Sequence, residues 1–171
     1  DILYRDGSGL QRLGAGTNGQ LLQTGGTGAN PSWIDAPSGV VKNIVHSFDT
    51  TQRSTTSGSP TTAGNTMGVT ITPSSTSSLI YLSFDFSGGN TLSGNRMFLY
   101  IYRDGTSLGT IRTHEMGTGA TFIENPMTVN TIDQPNSTSA ITYTVQVSTQ
   151  GGTAYVNTNG KGMGMAIEYL L

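Results

Sequence analysis

The chain of 171 residues contains no cysteine. This absence excludes a disulfide framework, a thiolate ligand for a metal and a cysteine nucleophile. Charged residues are scarce as well, at 11% of the chain, and the formal net charge is −2. Binding to nucleic acid depends on many basic groups that neutralise phosphates. We therefore expect no nucleic-acid partner.

Long apolar segments are also missing. No run approaches the length of about 20 residues that spans a bilayer, and the N-terminus lacks the basic and apolar regions of a secretory signal peptide. The sequence therefore predicts no membrane insertion. The surface must be built largely from Ser, Thr, Asn, Gln and Gly, a composition that is common in secreted adhesins and in virion surface proteins.

The residues that catalyse reactions are few and dispersed. Only His46 and His114 offer an imidazole, and the adjacent His114 and Glu115 form a pair that suits metal binding or acid–base chemistry. No further His or carboxylate stands at ligand spacing, so a surface histidine is the favoured interpretation. No Gly-x-Ser-x-Gly elbow is present. The sequence therefore predicts no enzyme activity, no metal site and no cofactor.

One glycine-rich segment, residues 14–19, matches the pattern Gly-x-Gly-x-x-Gly. As a dinucleotide fingerprint this pattern requires a preceding strand and a following helix. No helical period follows residue 19, so the match is dismissed.

Two parts of different character make up the chain. Residues 1–37 form an N-terminal arm and linker, interrupted by turn-forming pairs such as Asp6-Gly7 and Asn18-Gly19. Such pairs favour tight turns because both central residues tolerate positive φ, so the arm is expected to hold very short strands and extended chain. Residues 38–171 form the second domain, which we call the head.

The arm carries more large apolar side chains than its length can bury. It is short and rich in Gly, whereas disordered tails are poor in large apolar residues. We therefore predict that these side chains serve as anchors that partner molecules cover: Ile2, Leu3, Tyr4, Leu10, Leu13, Leu21, Leu22 and Trp33. For Trp33 two roles stay open, namely packing at the junction of arm and head, or stacking on a sugar.

The head shows the period-2 alternation of half-buried β-strands. Residues 80–87 alternate most regularly, residues 96–103 are apolar on both faces, and turn signals separate about eight such segments. No segment has a convincing helical period. Since such a sheet must protect its edges, the fold class we predict is all-β, a jelly-roll-like β-sandwich with an extended, turn-rich arm.

Two segments have a recognisable pattern. The first runs through Asp1-Ile2-Leu3-Tyr4, Leu10-Gln11-Arg12-Leu13, Gly19-Gln20-Leu21-Leu22 and Pro31-Ser32-Trp33. It resembles a module of structural and tail-fibre proteins of tailed bacteriophages, notably marine and cyanobacterial ones. The second comprises residues 153–157 and 165–169, and it is similar to the jelly-roll heads attached to such modules, which resemble the trimeric C1q and tumour-necrosis-factor heads.

The resemblance implies a virion protein on the outer surface of a phage particle, and a homotrimer. Its partners would be two further copies of itself and the major capsid protein or other virion proteins. Met163 and Met165 in the last strand are candidates for the trimer interface, with core packing as the alternative.

Two functions of a phage protein stay open at this stage, beside one of a different class, a host-derived lectin or adhesin subunit. The first is non-enzymatic capsid decoration, as a cement or head-fibre protein whose arm anchors it and whose head projects outward. The alternative is a tail-fibre tip that binds a host-surface glycan through loops predicted at residues 50–65 and 88–95.

Overall fold

The computed structural model describes residues 1–35, 40–61, 67–92, 94–115, 123–158, 160 and 162–170, without the side chains of residues 110–115, 123 and 124. Every regular element in these ranges is a β-strand, so the predicted all-β class is confirmed. The contacts divide the chain into two units, Asp1–Val40 and Val41–Leu171. The predicted boundary between residues 37 and 38 lies among residues outside the described ranges and stays a prediction, and the His114–Glu115 pair lies outside the described side chains.

Fourteen strands are present in the described residues. The first unit contains β1 (Ile2–Asp6), β2 (Gly9–Leu13), β3 (Gln20–Gln23) and β4 (Ser32–Asp35). The head contains β5 (Val40–Asp49), β6 (Arg53–Thr55), β7 (Gly68–Ile71), β8 (Leu79–Asn90), β9 (Arg96–Arg103), β10 (Thr106–Glu115), β11 (Ile123–Asp133), β12 (Ile141–Thr149), β13 (Ala154–Val156) and β14 (Gly162–Leu170).

Two sheets form the head. One has the order β10-β9-β12-β7, and we call it the front sheet. In the other, which we call the back sheet, β8 pairs with β11 along its whole length. On its opposite edge β8 pairs first with β14 and then with β13, and β5 and β6 lie beyond those two. Successive strands alternate between the two sheets, as in a jelly roll, with three exceptions. The pair β9–β10 lies within the front sheet, and the pairs β5–β6 and β13–β14 lie within the back sheet.

The core lies between the two sheets, and alternation within each strand explains it. On β8 the side chains of Ile80, Leu82, Phe84 and Phe86 are at most 4% exposed, while the intervening residues face outward. In a strand, residues two apart share a face, so one face of β8 enters the core. Met67, directly before β7, and strands β7, β9, β11, β12, β13 and β14 contribute the rest of the same apolar cluster.

Two details of the predicted head are wrong. Residues 88–90 do not belong to a loop, because they continue β8 and pair with both β11 and β13. Strand β6 lies within residues 50–65, which the sequence indicated as loop. The sequence indicates neither strand, because Gly88 and Gly89 are weak strand formers and the polar stretch Arg53–Thr55 shows no apolar alternation.

One polar cluster joins the two sheets at one end of the core. Asp133, at the end of β11, accepts hydrogen bonds from Arg103 Nη1 at 3.0 and 3.1 Å and from the Tyr143 hydroxyl at 2.7 Å. Burial and the bond to Asp133 both raise the pKa of Tyr143, so its hydroxyl stays protonated. The cluster therefore satisfies polar groups that the sandwich buries.

A second polar cluster fixes the loop between β7 and β8 to the last strand. Glu168 on β14 is 1% exposed. Its Oε1 accepts three hydrogen bonds of 2.6 Å, from the backbone and the hydroxyl of Ser74 and from the hydroxyl of Ser78. Burial alone raises the pKa of Glu168, but these bonds and the charge of Lys42 outweigh it and hold the pKa below its ordinary value.

We therefore expect Glu168 to make head stability depend on pH. Because its pKa is lowered in the folded state, its contribution is complete at neutral pH and is lost as the pH falls below about 4. Glu168→Gln should lower the free energy of unfolding at pH 7 by about 1–2 kcal/mol, and this difference should shrink towards pH 3. Urea unfolding at several pH values measures it. Asp35→Asn, at an exposed carboxylate in the arm, is the control, and parallel pH curves for Glu168→Gln and the unaltered chain would contradict the prediction.

Candidate assembly surfaces

The arm begins with a β-hairpin. Strands β1 and β2 pair antiparallel, with Ile2 opposite Leu13 and Arg5 opposite Leu10. At the turn, the backbone N–H of Ser8 donates a 2.8 Å hydrogen bond to Asp6 Oδ1, and Gly9 has a φ of 121° that favours glycine. The predicted short strands are thus present, but Asp6 is the last residue of β1 and the two central turn residues are Gly7 and Ser8.

The hairpin presents its large apolar residues on two opposite faces. Leu3 and Leu10 share one face and are 67% and 71% exposed. Because Leu3 lies opposite Arg12 and Leu10 opposite Arg5, the two leucines are diagonal neighbours, within reach of one another. Apolar side chains this exposed are expected where another surface covers them. We call this the leucine face of the arm.

The opposite face of the first hairpin holds three other predicted anchors. Ile2, Tyr4 and Leu13 lie there, and each is half-buried. The arm therefore does not gather its apolar residues into one cluster.

The second hairpin, β3 with β4, is also apolar on both faces. Leu21 lies opposite Ile34 on one face and Leu22 opposite Trp33 on the other. Leu21 and Leu22 are 50% and 48% exposed. A two-stranded hairpin has no layer behind it to bury such residues, as the sequence indicated.

Trp33 packs against the segment that precedes its own hairpin. The indole Nε1 donates a 2.7 Å hydrogen bond to the carbonyl of Gly14. A Cβ atom on Gly16 would lie 2.7 Å from Cδ2 of the indole, so only glycine fits there. The glycine-rich segment that matched a nucleotide fingerprint therefore supports a tryptophan instead. The predicted roles of Trp33 at a junction or on a sugar stay predictions.

In the head, strand β14 separates small from large residues. Its inward positions hold the small residues Gly162, Gly164 and Ala166. A Cβ on Gly164 would lie 2.9 Å from the ring of Phe84. Met163 and Met165 alternate with these residues and point outward, half-buried. They lie outside the core cluster, so their predicted alternative role in core packing is wrong.

The outer face of the back sheet continues this apolar surface on both sides of β14. Met163, Met165 and Ile167 lie opposite Asp85, Ser83 and Tyr81 of β8. On β11, Ile132 lies opposite Tyr81 and is 63% exposed. We call this surface the methionine face.

Strand β5, at the edge of the back sheet, adds two exposed residues to the methionine face. Ile44 and Phe48 are each 57% exposed, and the rings of His46 and Phe48 meet edge to face at 5.3 Å. The sequence did not single out these residues, although the partly apolar alternation of β5 was a signal for them.

Three polar residues of the methionine face, Asp85, Ser83 and Thr128, are hydrogen-bonded to one another. Asp85 accepts hydrogen bonds from Thr128 Oγ1 at 2.5 Å and from Ser83 Oγ at 3.3 Å. A polar group that is already hydrogen-bonded costs less to bury than an unpaired one. The face therefore tolerates cover by another protein surface.

Within the part of the chain that the structure describes, no three His, Asp or Glu side chains are placed to hold a metal ion. The same residues include no helix of the length and apolarity that crosses a bilayer. The described residues form a jelly-roll β-sandwich and, before it in sequence, two β-hairpins.

Comparison with known proteins yields likenesses of structure alone. No protein-family model matches the chain, and no curated protein matches it. Among solved structures, it is similar to the VP2 subviral particle of infectious bursal disease virus, with a TM-score of 0.44 and 18% identity over 95% of this chain and 40% of that one. It is also similar to dimeric latent PorU from Porphyromonas gingivalis, with a TM-score of 0.43 and 12% identity over 80% of this chain and 14% of that one.

A third likeness is to the Gx strain of infectious bursal disease virus, with a TM-score of 0.38 and 16% identity over 89% of this chain and 41% of that one. The chain therefore spans less than half of the length of each of these structures. At such identities and TM-scores the likenesses define no family for the chain.

Proposed function

We propose that this chain is a non-enzymatic structural protein of a tailed-phage virion, a homotrimer that decorates the outer surface of the capsid. The arm attaches to the major capsid protein or to another virion protein, and the head projects outward. The observation that carries the proposal is the exposure of Leu3, Leu10, Leu21 and Leu22 on hairpins of defined register. Side chains so placed bury apolar area only when a partner covers them, which contributes roughly 25 cal/mol per Å².

The methionine face supports the trimeric part of the proposal. It offers apolar side chains on β5, β14, β8 and β11, centred on Met163 and Met165, and its carboxylate Asp85 is already hydrogen-bonded. Closed cyclic symmetry allows identical chains to cover such a face completely. Trimerisation also gives the arms avidity without new contacts, because three tethered arms bind more tightly than one.

Labelling of the protein on intact virions tests its location. With a gold-labelled antibody against the head, we expect label over the whole capsid, at many copies per particle. A few labelled positions at the tail tip would contradict capsid decoration and support the alternative, a tail-fibre tip that binds a host-surface glycan. Absence of label from purified virions that contain all their other proteins would overturn the virion role.

A further inference from the structure

The outer face of the front sheet differs in chemistry from the methionine face. On β9 the side chains of Phe98, Tyr100 and Tyr102 point outward and are half-buried, since Met97, Leu99 and Ile101 between them enter the core. Residues that alternate along a strand lie about 7 Å apart on one face. Tyr100 and Tyr102 are thus neighbours in a row of aromatic side chains on this face.

Strand β12 places polar, uncharged side chains beside this row. Gln146 lies opposite Tyr100, and Thr144 lies opposite Tyr102. The Tyr100 hydroxyl lies 3.3 Å from Ser148 Oγ. We call Tyr100, Tyr102, Thr144 and Gln146 the aromatic strip, and none of its four side chains carries a charge.

Gln146 is the most informative member of the strip. Only 6% of its surface is exposed, yet its side-chain amide makes no hydrogen bond with any residue that the structure describes. The amide atoms themselves still reach solvent, since Gln146 has no atom among the fully buried, unpaired side-chain atoms of the described residues. The amide therefore has an unused donor and acceptor beside the ring of Tyr100.

We propose that the aromatic strip binds a neutral carbohydrate. A sugar ring presents C–H groups on its faces, which pack on aromatic rings, and hydroxyls at its edge, which pair with an amide and hydroxyls. Recognition sites of this kind combine aromatic lining with a few polar groups that fix orientation. None of the four side chains of the strip carries a charge, which favours a neutral glycan over a sialylated or sulfated one.

This inference does not depend on capsid decoration or on the trimer. The strip lies on the front sheet, and the methionine face lies on the back sheet, so association through the latter leaves the strip free. It also differs from the predicted glycan contacts at residues 50–65 and 88–95, because it is built on the paired strands β9 and β12. Strands hold a recognition surface more rigidly than loops do.

The test begins with the full-length protein, fluorescently labelled, on an array of neutral, sialylated and sulfated glycans. We expect binding to at least one neutral glycan, and its Kd is then measured by titration calorimetry with that same glycan. Tyr100→Ala and Gln146→Leu should each weaken binding about tenfold or more. Tyr155→Ala removes a half-buried tyrosine of the back sheet and is the matched control, which should leave the Kd unchanged.

Gln146→Leu separates recognition from stability. Since the amide has no partner in the free protein, we expect this variant to unfold at the same temperature as the unaltered chain, or higher. Loss of binding in a variant that is fully stable supports the strip. Absence of binding to every neutral glycan, binding to anionic glycans only, or an unchanged Kd in both strip variants would overturn the inference.

Discussion

Met165→Glu is expected to convert the trimeric protein into a monomer. Met165 lies in the middle of the methionine face, between Ser83 of β8 and the edge strand β5. A trimer that closes through this face brings a glutamate from each chain into a largely apolar contact. Burial of a carboxylate in such a contact costs several kcal/mol per chain, so we expect the trimer to dissociate.

Analytical ultracentrifugation at micromolar concentration measures the mass, and the control is Thr70→Glu. Thr70 is exposed on the outward face of β7 in the front sheet, so the same charge placed there should leave the three-chain mass unchanged. Circular dichroism should show the same strand content for both variants, since Met165 lies outside the core cluster.

Two results would contradict the assignment. A single-chain mass for the unaltered protein would remove the trimer itself. A three-chain mass for Met165→Glu would place the interface elsewhere and leave the methionine face without its proposed role.

The fold class could be predicted because the head obeys a simple rule almost everywhere. Ile80, Leu82, Phe84 and Phe86 alternate with outward residues, and a period of two leaves no other regular structure open. Pro126 fits the edge position of β11, since proline cannot donate to a ladder and β11 pairs only with β8 among the described strands.

The pairing of strands could not be predicted in the same way. It depends on residues far apart in sequence, such as Tyr143 on β12 and Asp133 on β11, or Glu168 and Ser74. These side chains are polar, so the sequence alone predicts that they lie on the surface. The same reason explains why Ile44, Phe48 and Ile132 were not associated with Met163 and Met165, since only the order of strands brings them to one face.

The candidate surfaces were predictable to different degrees. The arm's apolar residues were identified because turn signals surround them and nothing nearby can bury them. The division of these residues between two faces could not be predicted, because it depends on the register of Leu3 against Arg12. A shift of one residue exchanges the faces. The aromatic strip combines β9 and β12, so only the topology reveals it.

The second large effect is expected at the arm. The double variant Leu3→Ser with Leu10→Ser should attach to capsids at least about a hundredfold more weakly. Both leucines are about two-thirds exposed, so most of their apolar surface is available to a partner. Loss of two such contacts removes about 2–4 kcal/mol per arm, and three arms multiply the effect through avidity.

Co-sedimentation with virions assembled without this protein measures attachment. The matched control is Arg5→Ser, which alters the same leucine face but removes no apolar side chain, and it should attach as the unaltered chain does. The double variant should keep its three-chain mass and its carbohydrate binding, because the methionine face and the aromatic strip belong to the head. If it sediments with capsids as the unaltered chain does, the leucine face is not the anchor, and attachment must then depend on Leu21 and Leu22 of the second hairpin or on the head.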